Sequence, residues 1–364
     1  MNSDVRPPLP LKDAPRAPDN RWKRALLGAF SVALFAFALI SVKEGASPLA
    51  PVIRNGFSID NTLDALGLGW LAAAITLSGS PIAATALAFF QAGVLDAFET
   101  FAMIAGSRLG AAFIVLFLGF AYALRSRRSE SGLGAGLLSL LVTQTVYFPA
   151  IVLGYLLLRS GLLGNWTFAA QASLTSPLDF VFGPMIGWLE RIVPIWTLFP
   201  VGFVLMLFSF WLFDRALPLV HLQGTGLERI NRLLFRPIVS FGLGAGITAV
   251  TMSVSVSLGM LVPLSARGFI RQENIIPYIM GANVTTFVDT LVAAALLGNP
   301  EAVTIVLLQM ISVSAVSIGV ILVGFRRYES ALAHAMATML RRRDLMIGYL
   351  SASIGVPILL LILA

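Results

Sequence analysis

Cysteine is absent from this 364-residue chain, which removes disulfides, thiolate metal sites and thiol catalysis. Charge is scarce: Asp, Glu, Lys and Arg make up 12% of the residues, where a soluble domain averages about 25%. Histidine occurs only as His221 and His334, each among loop arginines with no second ligand at metal spacing. No His/Asp pair or carboxylate cluster falls at one membrane depth, so lipid chemistry within a membrane lacks its residues and an enzyme is not expected. No resident cofactor is expected either. What fills the chain instead is apolar, 57% of residues, with a mean hydropathy of +0.87.

That balance predicts an all-α polytopic membrane protein. The formal charge of +7 would elsewhere suggest nucleic acid, but the cations gather in short loops. There they act as topology determinants and contacts for anionic membrane lipids, with no nucleic-acid partner implied. A homo-oligomer is compatible with the sequence.

Residues 1–24 hold Pro7, Pro8, Pro10, Pro15 and Pro18 among charges and read as a disordered cytoplasmic tail. The apolar run Ala25–Val42 follows the cationic Arg21-Trp22-Lys23-Arg24 cluster. A signal peptide competes for this pattern, but the run is long for one, so an uncleaved first helix of an inner-membrane protein is expected. Further apolar segments fall at 67–92, 98–124, 132–158, 195–213, 238–266, 269–297, 302–325 and 345–363. The stretch Arg326–Arg343 alternates apolar and basic residues and is expected on the inner membrane surface.

The chain also contains itself twice. Gly67-Leu68-Gly69 returns 175 positions later as Gly242-Leu243-Gly244, and Thr76, Ser78 and Ser80 return as Thr251, Ser253 and Ser255. Gly93 and Gly106 return as Gly268 and Gly281 with no gap between. Repeats of hydroxyl-bearing, glycine-interrupted apolar segments point to a transporter whose site lies where the copies meet. The copies span 67–158 and 238–325, joined by a linker at 159–237 that holds the 195–213 helix.

Charge parity sets the topology. If 67–92 is a re-entrant hairpin entered from outside, Arg125-Ser126-Arg127-Arg128 falls inside; then 238–266 enters from the cytoplasm and the copies are inverted. The half-helix 67–77 would reach about 16 Å, half the hydrocarbon thickness. It breaks at Ser78-Gly79-Ser80-Pro81, with Ser80 as N-cap and Pro81 in the first helical position. The second break, at Ser253-Val254-Ser255-Val256-Ser257, has no proline.

A half-helix starting at mid-membrane aims free N–H groups into the protein, and flanking serines add hydrogen-bond partners for an anion or oxygens for an ion. Ser78, Ser80, Ser253 and Ser255 are therefore candidate substrate residues, with Thr76 and Thr251 beside them as candidates for the coupling ion, Na+ or H+. After the second hairpin, Asn283, Thr286 and Asp289 share a helix face at i, i+3 and i+6, offering an amide, a hydroxyl and a carboxylate to a cation or a proton. In the first copy Arg108 stands where Asn283 stands in the second. Buried arginine needs a partner. A bridge to Asp289 or Glu99 is one reading, a guanidinium fork offered to an oxyanion the other. Gln144 and Gln309 read as interhelical glue.

These residues resemble the sodium-dependent phosphate cotransporter (type II Na/Pi) family. That family has inverted repeats, each a re-entrant hairpin with a Gln-Ser-Ser-Ser motif and then a helix opening Gly-Ala-Asn-Ile-Gly-Thr-Thr. The resemblance covers about 67–120 and 242–297 and is strongest at Gly281-Ala282-Asn283-Val284-Thr285-Thr286. It implies a sodium and phosphate site lined by the serines of both hairpins. Here the motifs read Leu77-Ser78-Gly79-Ser80 and Met252-Ser253-Val254-Ser255, and Arg108 replaces an asparagine. A fixed guanidinium supplies charge that sodium would bring, so a sodium-independent or proton-coupled carrier stands beside the sodium-coupled one. A non-transporting membrane partner on the same fold, or a carrier of a different solute, is the rival. Reporter fusions after Ser126 and Gln272 should both score cytoplasmic; an external result at either would contradict the inverted topology.

Overall fold

The computed structural model describes residues 21–56, 61–125, 129–161, 177–217, 236–259 and 272–363. Among them the protein is helical without a strand. The helices are α1 (Arg21–Ala46), α2 (Ala50–Gly56), α3 (Thr62–Thr76), α4 (Ser80–Gln91), α5 (Ala97–Ala111), α6 (Phe113–Arg125), α7 (Ser129–Ser160) and α8 (Pro177–Leu189). There follow α9 (Leu198–Ala216), α10 (Pro237–Thr251), α11 (Val254–Gly259), α12 (Gln272–Thr285), α13 (Val288–Leu296), α14 (Pro300–Val323), α15 (Phe325–Arg341) and α16 (Arg343–Leu363). Among the described residues 7 segments are long and apolar enough to cross a membrane, and Thr62–Thr76, Ser80–Gln91, Leu178–Leu189 and Pro237–Thr251 are shorter apolar helices. This is an all-α polytopic membrane protein. Of the expected tail at 1–24, residues 1–20 lie outside the described residues and Arg21–Arg24 instead open α1. Residues 218–235 of the linker and the return of the second hairpin at 260–266 also lie outside them.

Without a hydrophobic drive between helices in lipid, close backbone approach holds a bundle together, and glycine permits it. A Cβ on Gly69 would lie 2.1 Å from the Met103 carbonyl oxygen, and one on Gly106 2.1 Å from that of Leu66. These contacts lock α3 onto α5. The same pairs recur 175 positions on: Gly244 against the Tyr278 carbonyl and Gly281 against that of Phe241, each at 2.0 Å, lock α10 onto α12.

Both first half-helices end alike. Leu77 (φ 52°) and Met252 (φ 49°) adopt the left-handed conformation, uncommon for side chains of their size. At each break a threonine hydroxyl ties the turn: Thr76 donates to the carbonyls of Ala72 (2.8 Å) and Ser78 (3.1 Å). Thr251 donates to those of Ile247 (2.9 Å) and Ser253 (3.3 Å). The N-cap of α4 is Gly79, with no side-chain cap, so Ser80 is the first helical residue rather than the expected cap. At the second break Ser253 Oγ accepts from the Val256 N–H at 3.3 Å, capping the short α11.

The 98–124 and 269–297 segments run as single membrane-length helices, Ala97–Ala121 and Ile275–Leu296, each with a short irregularity at a matched position, Ala112 and Thr286-Phe287. The expected outer loop at 159–194 contains the helix α8. Gln309 Nε2 donates to the Phe101 carbonyl (2.6 Å) and Gln144 Nε2 to Ser353 Oγ (3.1 Å), both bridging helices.

Adding a methyl at Gly106 or Gly281 should force the crossed backbones apart and cost about 1–3 kcal/mol each. Gly242 has open space, so Gly242→Ala should be neutral or stabilising by about 0.5–1 kcal/mol. Thermal unfolding in detergent checks both; equal behaviour of the three variants would contradict the packing account.

Candidate functional site

Arg108 lies in the last turn of α5 and Asp289 in the first turn of α13. Each therefore sits where the helix dipole favours its charge, a cation at a C-terminus and an anion at an N-terminus. Both are buried, with side chains 3% and 5% exposed. The guanidinium reaches the interruption between α12 and α13. Nη1 donates to Thr286 Oγ1 at 3.2 Å, Nη2 to Asp289 Oδ1 at 3.2 Å, and Nη2 also to Thr290 Oγ1. Its carbon lies 4.8 Å from the centre of the Phe287 ring, a cation–π contact.

Of the two bridging partners open to Arg108 by sequence, the structure selects Asp289. Glu99 is engaged elsewhere: it closes a capping box with Asp96 at the start of α5 and takes Arg54 Nη2 at 2.8 Å.

The carboxylate is used unevenly. Oδ1 also accepts from the Thr290 N–H (2.5 Å) and hydroxyl (2.9 Å), whereas Oδ2 is buried with no partner. Arg108 Nε and Ser139 Oγ are likewise buried without a partner. Such orphans are costly and call for an explanation, a ligand among them.

Two cavities meet at this pair. Arg108 lines one of them, enclosed by α5, α7, α11 and α12 and walled by Ser139, Thr143, Tyr147, Asn283 and Thr286. Asp289 lines the other, between α1, α9, the second break and α13, with Phe35, Phe210, Phe213 and Met252. The ion pair is the partition between them. Donors and a cation face the first cavity, suited to an oxyanion; a carboxylate among apolar side chains faces the second.

The sequence candidates fall around this partition in different ways. Asn283 Nδ2 donates to Thr143 Oγ1 (3.1 Å) and its carbonyl accepts from the Tyr147 hydroxyl (3.0 Å). Asn283, Thr286 and Asp289, expected on one helix face, gather about Arg108: Thr286 and Asp289 both meet its guanidinium, and Asn283 lines the same cavity as Thr286 and Arg108. Gly79 of the first break abuts α5, where a Cβ would come 2.8 Å from the Ser107 carbonyl and 3.4 Å from Arg108 Nη1. Ser78 and Ser80 are half-buried at that break, lining neither cavity, as does half-buried Ser255 at the other. The hydroxyl protons of Thr76 and Thr251 are spent on backbone carbonyls, which makes them fasteners of the breaks.

Sequence reasoning missed Asp214, Ser139, Thr143, Tyr147 and Thr290. Asp214, near the end of α9, lies within interaction range of Ser253 and Asp289. A carboxylate inside the apolar run 195–216 was a signal for it, hidden by Arg215 beside it.

Residues 205–348 match the model of the Na+/Pi-cotransporter family. The match covers less than half of the chain, and over that region the chain is similar to the family. No curated protein and no solved structure matches the chain. The matched region carries the second break, Asn283, Thr286 and Asp289; Arg108 lies outside it. The family is one of membrane transporters rather than enzymes.

Removing one partner of the buried pair should be costlier than removing both. Asp289→Ala should destabilise by about 3–5 kcal/mol, and Arg108→Met with Asp289→Leu should recover most of it. Thermal unfolding of the single and double variants checks this; a double variant no better than Asp289→Ala would show that the unpaired charge is not the source.

Proposed function

We propose that the protein is an ion-coupled, alternating-access membrane transporter of phosphate or a similar small anion, with its N-terminus in the cytoplasm. The observation that carries this reading is Arg108. A guanidinium at membrane depth, with one N–H unpaired and an unpartnered Ser139 hydroxyl in the wall of the same cavity, is a prepared oxyanion site. The family match supplies the substrate class, phosphate, and sodium as the family's ion.

In this reading Arg108 contacts the anion, and Ser78 and Ser80 at the break beside it, with Ser253 and Ser255 at the other, add hydroxyls as the breaks close. Asn283, Thr286 and Asp289 form the coupling face across the guanidinium. Contacts matched at 175 positions support equivalent halves, and the loop cations support their opposite insertion. A partition of paired charges between two cavities is what alternating access needs at its centre.

Labelled-phosphate uptake into proteoliposomes with a sodium gradient, a proton gradient or none is the test. Arg108→Ala should cut uptake by about tenfold to a hundredfold, the worth of a charged hydrogen bond or two. Wild-type rates in the variant would remove Arg108 from the site. No uptake of phosphate or sulfate by folded wild-type protein would remove the transport of either, leaving another solute or a partner role.

A further inference from the structure

We infer that the coupling ion is a proton carried by the Asp289 carboxylate, and that the transported anion competes with that carboxylate for the Arg108 guanidinium. This rests on the anion-carrier reading above and specifies its coupling.

The second cavity decides which cation Asp289 can take. A hard metal cation needs a shell of several oxygens. Asp289 lines a cavity walled largely by aromatic and aliphatic side chains, and its Oδ2 is buried with no partner. The two hydroxyls in that wall are turned away: Ser31 donates to the Gly28 carbonyl and Ser209 to that of Met206, each at 2.7 Å. Among the described residues no three acidic or histidine side chains gather. A lone buried carboxylate beside apolar walls is poor for a metal and sufficient for a proton.

Charge accounting gives the exchange its logic. In the empty state Arg108 and Asp289 neutralise each other. When an oxyanion of single charge takes the guanidinium, Asp289 is left as an uncompensated buried anion. A proton on Oδ2 removes that charge, and the oxygen that had no partner gains an O–H to donate. The loaded site holds guanidinium, anion and neutral acid, again with no net charge. On release the proton leaves Oδ2 and the Arg108–Asp289 pair re-forms. Empty and loaded forms can thus both cross between faces without an unpaired charge. Arg108 Nε and Ser139 Oγ, orphaned now, gain acceptors in the loaded state.

The groups that act on Asp289 are few. Arg108 reaches it from α5, Asp214 acts from α9 and Tyr147 from α7. Thr286 and Thr290 are neutral, α1 faces the cavity with Ser31, Val32 and Phe35, and α4 has no titratable residue. On α14 only Glu301 titrates, exposed in the first turn. The other acid within interaction range of Asp289 is Asp214, which also lies near Ser253 of the second break.

Phosphate binding to the full-length protein in detergent tests this by calorimetry, across about pH 6 to 9, in sodium and in choline buffers, for wild type and Asp289→Asn. Replacing sodium by choline should change wild-type affinity less than about twofold, and affinity should fall by up to about tenfold per pH unit on the alkaline side. Asp289→Asn should bind more tightly at alkaline pH, having lost the competitor, with a flatter pH dependence. Binding that collapses in choline overturns the proton assignment, and so does a pH slope unchanged in Asp289→Asn. If that variant does not fold, the sodium arm on wild type still decides, since phosphate's own second ionisation near neutral pH also lowers affinity on the alkaline side. Binding with the wrong ion dependence leaves the anion reading standing, whereas no phosphate or sulfate binding by folded wild type removes both.

Discussion

The contact between Arg108 and Asp289 governs the rest of the molecule because neither charge tolerates the membrane interior alone. An arginine or aspartate at mid-bilayer costs about 2.5–3.5 kcal/mol even on insertion scales. Bringing the two together across 181 positions of sequence sets the last turn of α5 against the first turn of α13. There a cation sits at a helix C-terminus and an anion at an N-terminus. The pair thereby ties the first copy to the second across the two cavities that its members line.

Around that pair the scaffold is built for close approach and for controlled strain. Glycine-on-carbonyl contacts fasten α3 to α5 and α10 to α12. Leu77 and Met252 sit in left-handed geometry at a cost of order 1–3 kcal/mol each, and threonine hydroxyls keep them there. Strain of this kind gathers where a structure has two arrangements. It lies here within reach of both cavities: Met252 lines one, and the Gly79 turn that follows Leu77 touches Arg108, which lines the other.

Much of this was legible in the sequence, and what was not has identifiable causes. The hairpin breaks were readable because Ser78-Gly79-Ser80-Pro81 carries turn chemistry and the second copy repeats its spacing. The irregularities at Ala112 and Thr286-Phe287 were not, since hydropathy runs through them without glycine or proline. Helix α8 was read as loop because Pro177, Gly183, Pro184 and Gly187 mask an apolar stretch. Periodicity places Arg108 and Asp289 on faces but does not say which faces meet, so the sequence left Glu99 and Asp289 both open. The choice turns on Arg54, whose reach to Glu99 depends on tertiary placement alone. Asp214 escaped because a carboxylate beside an arginine at the end of a span looks like the start of a loop.

The two copies agree in scaffold and differ in charge, and that difference carries the chemistry. Matched glycines, matched left-handed residues and matched interruptions give the halves one backbone plan. At the corresponding positions Arg108 and Asn283, however, one half places a cation and the other a neutral amide, while Asp289 has no acidic counterpart at Ile114. A symmetric scaffold with symmetric charge would put like charges across its centre, which a low-dielectric interior penalises. Placing the cation in one half and the carboxylate in the other turns that penalty into an attraction between halves. The same asymmetry makes the attraction reversible, since any anion that binds Arg108 weakens the tie. Substrate binding and relative motion of the halves then draw on a single interaction.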